Sequence, residues 1–133
     1  MSTLETAKKN YIKTGQEILK ATESLSAQSY GILEIITKSK LRKGKEKLTG
    51  YYLLLKEYDD VYTSELEING TTFDIELKLA RLKICESARL IFTSSLGGYE
   101  RELSNIESSI NFKLTTGIAM IALVFSLAGV LLA

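Results

Sequence analysis

The chain has 133 residues, with 17 Lys and Arg against 16 Asp and Glu; its formal net charge of +1 gives no global field toward nucleic acid, and no DNA partner is expected. It holds no His, Pro or Trp and a single cysteine, Cys85. That composition excludes a disulfide within the chain, a Cys-His dyad, a Ser-His-Asp triad and a zinc site of the usual kind. No metal, cofactor or catalytic residue is expected, and Cys85, within the apolar run LARLKICESARLIF, reads as a small buried residue compatible with a reducing cytoplasm.

From the N-terminus, Leu4, Tyr11, Ile18, Leu25 and Ile32 recur every seven residues, and Ala7, Ile12, Leu19, Ala21, Leu33 and Ile35 widen them into one apolar stripe. This predicts a first helix from Thr3 to Lys40, with Thr3 and Thr6 as capping residues and a bend near Tyr30-Gly31. A connection rich in lysine follows. A second helix is predicted from Glu46 to Glu67, with Leu48, Tyr51, Tyr52, Leu55, Tyr58 and Tyr62 forming a half-buried face at three- and four-residue spacing.

Around Asn69-Gly70 two readings compete. Leu66 and Ile68 before it, and Phe73, Ile75, Leu77 and Leu79 after it, alternate with polar residues as in a β-hairpin closed by a type I′ turn. The favoured reading ends one helix at Gly70 and starts another at Thr71 or Thr72, with Asp74 in its first turn and Phe73, Leu77, Ala80, Ile84, Ala88 and Ile91 on one face. That third helix is expected to end near Leu96. Gly97-Gly98 then serves as a hinge, and a last helix starts at Tyr99.

From Leu114 the chain reads LTTGIAMIALVFSLAGVLLA, without charge, and with Thr115, Thr116 and Ser126 as its polar side chains. A helix of this length rises about 30 Å, the thickness of a bilayer's hydrocarbon core. A domain this small cannot enclose so long an apolar cylinder, and the segment lies at the wrong end for a secretory signal. The fold expected is therefore all-α. A cytoplasmic bundle of about three helices spans residues 1–96, a hinge and juxtamembrane stalk 97–113, and a C-terminal transmembrane helix 114–133. Lys and Arg lie throughout the part before the span, Arg101 and Lys113 being nearest, so the positive-inside tendency puts the N-terminus in the cytoplasm, the layout of a tail-anchored, single-pass membrane protein. The sequon Asn69-Gly70-Thr71 would matter only if the domain faced a lumen.

Two groups of residues carry candidate function. Thr115, Ala119, Ala122, Ser126, Gly129 and Ala133 are spaced alternately by four and three, so one face of the anchor is small throughout, a surface for helix packing and homo-oligomerisation. The opposite face carries Ile118, Ile121, Val124, Phe125 and Leu132, which suit lipid. The second group is basic: Lys38, Lys40, Arg42, Lys43, Lys45 and Lys47 cluster between the first two helices, and Lys78, Arg81, Lys83 and Arg89 lie on the third. Anionic lipid contact requires the first set to lie near the membrane; a phosphate-bearing ligand such as a nucleotide requires both sets to converge. KGKEKLTG lacks the spacing of a phosphate-binding loop, and Asp59-Asp60 falls on an expected solvent face.

The function expected is a non-enzymatic module that oligomerises through its transmembrane helix and tethers or scaffolds a protein partner or signal at the cytoplasmic face. The alternatives are a membrane-perturbing or pore-forming effector, of holin-like or antiviral-defence type, triggered through its cytoplasmic domain, and an accessory subunit of a larger membrane complex.

Overall fold

The computed structural model describes residues 3–28, 31–66 and 70–132, and its regular structure is helical, with no strand among the described residues. The expectations for Tyr30, Glu67, Ile68, Asn69 and Ala133, and for the side chain of Leu33, lie outside what it describes. Four helices follow one another: α1 (Thr3–Ala27), α2 (Ile32–Thr37), α3 (Ser39–Ser64) and α4 (Thr72–Leu132).

Seven-residue spacing explains how α1 and α4 meet. Leu4, Tyr11, Ile18 and Leu25 are buried along α1, and Cys85, Phe92, Tyr99 and Ile106 are buried along α4, each series seven apart. Two such seams facing each other pack as in a coiled coil. The helices run in the same direction: Leu4 lies by Ile84, Tyr11 by Phe92 and Leu25 by Tyr99. Leu82, Leu96, Leu103 and Ile110 complete the buried seam of α4, and α3 returns antiparallel along it. Its half-buried face is Leu48, Tyr51, Leu55, Tyr58, Val61 and Tyr62; Tyr52, expected on that face, is instead exposed and donates to Glu100 Oε2 at 2.8 Å.

The hairpin alternative is overturned by a capping box. Thr71 Oγ1 accepts the Asp74 N–H at 3.3 Å, while Asp74 Oδ2 takes the Thr71 N–H at 3.2 Å and its hydroxyl at 2.8 Å, so α4 starts at Thr72. Gly70, at φ 113°, supplies the left-handed turn before it.

The expected first helix to Lys40 is also corrected. It ends at Ala27, and a separate turn, α2, starts after the extended Gly31. Lys38, with φ 55° and ψ 30°, then turns the chain into α3. The Glu34 carboxylate bridges this corner, accepting the Lys40 N–H and the Ser39 hydroxyl. Because α3 begins at Ser39 and not at Glu46, most of the lysine run is helical; Leu41 and Gly44 are buried while the charges between them face outward.

Nor does the chain break at Gly97-Gly98. Both lie within α4, which runs 61 residues without interruption. Leu96 and Tyr99 on either side are buried in the core, and that burial outweighs the cost of about 1 kcal/mol per helical Gly.

Candidate functional site

Beyond Ile110 no other helix buries α4. Among the described residues it is the one helix long and apolar enough to cross a membrane, and none of that stretch is covered by the rest of the chain. Ile118, Ile121, Val124 and Phe125 are exposed, as are Thr115, Ala119, Ala122, Ser126 and Gly129 of the small-residue face. A Cβ built on Gly129 meets nothing within 4 Å, so the backbone there is open to close approach.

The two basic sets do not converge. Lys45 Nζ lies 3.0 Å from Glu107 and Lys38 Nζ 2.9 Å from Asn111 Oδ1, which puts the first set beside the end of the core from which the apolar stretch of α4 emerges. Lys78 and Arg89 pair with Glu65 and Asp59 toward the other end. From Arg89 to Glu107 the axial distance is about 27 Å at the helical rise, too far for one nucleotide to bridge. Lys83 is exposed, and Arg81 lines a shallow cleft with Glu5 and Lys8. Lys40, Lys43 and Lys47 converge on an open cleft of about 270 Å3, bounded also by Ser24, Gln28 and the Tyr99 ring. Arg42 turns back to the Thr37 carbonyl at 3.3 Å.

Arg89 fastens helices together. Its Nε and Nη2 donate to Asp59 Oδ1 and Oδ2 at 2.8 and 2.9 Å, and the Tyr11 hydroxyl donates to Oδ1 at 2.6 Å, so one carboxylate ties α1, α3 and α4 together. Burial works to raise the Asp59 pKa, but the hydrogen bonds from Arg89 and Tyr11 and the Arg89 charge outweigh it and hold the carboxyl below its usual value. Burial, with the Asp59 hydrogen bond and charge, pushes the Tyr11 hydroxyl well above its ordinary range, so it stays a donor. Asp59 is therefore not on a solvent face as expected. Tyr58 and Phe92 close edge-to-face around Tyr11, with ring centroids 5.7 and 6.0 Å away. Cys85 is buried, and that burial raises its pKa, which keeps it a thiol.

Two surfaces were missed by the sequence reading. The apolar face expected over this part of α4 divides: Ala88 is in the core, while Phe73, Leu77, Ile84 and Ile91 are exposed, the last two on the flank of the α1 contact. On α2, Ile32 and Ile36 are 77% and 64% exposed, although Ile32 continues the heptad series of α1. The signal that could have found the second is the segment itself, a four-residue apolar pair between Gly31 and Lys38 beside the basic run. Comparison with protein-family models, with curated proteins and with solved structures gave no match to this chain.

Proposed function

We propose that the chain is a non-enzymatic, single-pass membrane protein whose helical domain is held at the cytoplasmic face and self-associates through α4 to tether or scaffold a partner. The observation that carries this reading is the apolar end of α4, exposed over its whole length in a chain that elsewhere buries a well-formed core. Leaving so much apolar surface in water is costly at about 25 cal/mol per Å2, and lipid removes that cost without a protein partner. The backbone is satisfied within the helix, as a spanning segment requires.

Self-association is supported by one register. Leu77, Ile84, Ile91, Gly98, Asn105, Phe112, Ala119 and Ser126 are spaced by sevens along an unbroken helix, and none of them is fully buried. The exposed apolar positions of the domain thus share a heptad series with the small residues of the anchor, the pattern of parallel helices that pair along their length.

The experiment is fractionation and mass measurement of the full chain. It should stay with membranes after alkaline carbonate washing, its domain should be open to protease from the cytoplasmic side, and its mass in mild detergent should be a multiple of 14.8 kDa. Release by carbonate would overturn the anchor. Loss of membrane potential on expression would favour the membrane-perturbing effector, for which Thr115, Thr116 and Ser126 offer a sparse polar lining.

A further inference from the structure

We infer that α2 and the basic residues beside it form a second membrane contact, a short interfacial element that seats the helical domain on an anionic bilayer surface. The inference rests on the reading that the apolar end of α4 lies in lipid.

The argument is one of depth. Lys38, at the corner between α2 and α3, donates from Nζ to Asn111 Oδ1 at 2.9 Å. Asn111 precedes Leu114 by three residues, about 4.5 Å along the helix, whereas the headgroup layer on each side of the hydrocarbon is about 5–8 Å thick. With Leu114 at the hydrocarbon boundary, the corner carrying Lys38 falls within that layer.

What the corner presents fits that location. Ile32 and Ile36 are one turn apart on α2 and project away from the core, while Ile35 between them packs against it. Phe112, 72% exposed, stands at the same depth on α4, where aromatic rings favour the headgroup region. Lys38 stands at this corner and Arg42 reaches back to the Thr37 carbonyl beside it, both cations complementary to anionic lipid.

The nearby acids are turned to other work. Glu34 is spent on the start of α3 and Glu107 on Lys45, so neither presents an unengaged carboxylate to the headgroups. Apolar residues flanked by cations are the composition of segments that lie in the membrane plane. A free phosphate compound would explain the cations but not the two isoleucines.

A depth measurement on the full chain in vesicles tests this. In a Cys85→Ala background, an environment-sensitive fluorophore is attached at Ile36→Cys, at Leu123→Cys in the apolar end of α4, or at Lys56→Cys on the outer face of α3. Vesicles are zwitterionic phosphatidylcholine with or without phosphatidylserine. Position 123 reports on the anchor, and it should emit at short wavelength in both vesicles. Position 36 should shift to shorter wavelength and be quenched by headgroup-depth quenchers, more strongly with phosphatidylserine. Position 56 should remain water-like.

Removing one cation at Arg42 with Arg42→Gln should weaken the position 36 signal about five-fold in the surface equilibrium. A lipid-like 123 with a water-like 36 overturns the inference and leaves the anchor standing. A water-like 123 overturns both. Disulfide trapping of unlabelled Ile36→Cys between two copies would put a second copy on α2, and would also overturn it.

Discussion

Arg89 grips Asp59 with two nitrogens, Nε 2.8 Å from Oδ1 and Nη2 2.9 Å from Oδ2, and this pair, joined by the Tyr11 hydroxyl, is where three helices are fastened. The pair is partly open to solvent, with side chains about a third exposed, so its charge attraction is screened and its hydrogen bonds carry most of its effect.

Asp59→Asn should therefore destabilise the domain by about 1–2 kcal/mol, less than a fully buried pair would cost. The pH dependence has a definite sign. The folded pKa of Asp59 is depressed, so its stabilisation is complete above the unfolded carboxylate value of about 3.9 and is lost as pH falls through the lowered folded value. Thermal melts of the detergent-solubilised chain across that acid range should show a shallower decline for Asp59→Asn than for the parent. Parallel curves would mean that the carboxylate is not held as described.

Two glycines in helix contacts should respond with opposite sign to the same change. A Cβ on Gly44 would fall 2.6 Å from Leu103 Cδ2, and Leu103 is itself buried, so overpacking of about 1–3 kcal/mol outweighs the gain in helix propensity of about 1 kcal/mol. Its carbonyl also accepts the buried Tyr99 hydroxyl at 3.0 Å, so a shift of α3 away from α4 would strain that bond. A Cβ on Gly15 meets Ile91 and Phe92 at 3.4 Å, ordinary contact. Gly44→Ala should lower the melting temperature and Gly15→Ala should raise it or leave it unchanged. A common rise would show that helix propensity, and not the fit between helices, governs both.

At the start of α4, Thr71→Ala removes the hydroxyl that accepts the Asp74 N–H and should cost about 1 kcal/mol. Asp74→Ala should add a further loss in the Thr71→Ala background, because the residue 71 N–H that Asp74 Oδ2 accepts is backbone and survives the first change. Hydrogen exchange of the first-turn amides of α4 checks both, since fraying there raises their exchange before the core is affected. Unchanged exchange in Thr71→Ala would remove the capping box as the reason that this segment is helical.

That box also shows what the sequence made legible. Asp74 suits a first turn, and Phe73, Leu77, Ala80, Ile84, Ala88 and Ile91 keep one helical face beyond hairpin length, local signals that favour the helix over the hairpin; the apolar stretch after Leu114 is plain for the same reason. The stretch from Gln28 to Lys47 is not, because what makes α3 start at Ser39 is distant: Leu41 is buried in the core and Gly44 lies against Leu103 and Tyr99, while the lysines between them read as a loop. Likewise Gly97-Gly98 looked like a break because the burial of Leu96 and Tyr99 that holds it helical is supplied by other helices. On α4 the apolar periodicity is wider than the buried seam, with Cys85 and Phe92 buried against α1 and Ile84 and Ile91 half-exposed on its flank. Periodicity alone does not say which side is inside.

The outward series gives the last prediction. Ile84 and Ile91 are 54% and 46% exposed on the flank of the α1 contact, so Ile84→Lys with Ile91→Lys trims only their half-buried edges and should cost the domain about 1 kcal/mol while leaving it folded. If α4 pairs with α4 along the heptad register that includes Ala119 and Ser126, the same double change places like charges across the seam and should shift the detergent mass toward one 14.8 kDa chain. Ser126→Leu or Gly129→Leu should do so independently, by holding the membrane halves of the helices apart. The two perturbations sit some 50 Å apart on a straight helix, so agreement between them requires one continuous contact. If the anchor substitutions dissociate the protein and the domain substitutions do not, association is confined to the lipid, and the exposed isoleucines of α4 are left for a different partner.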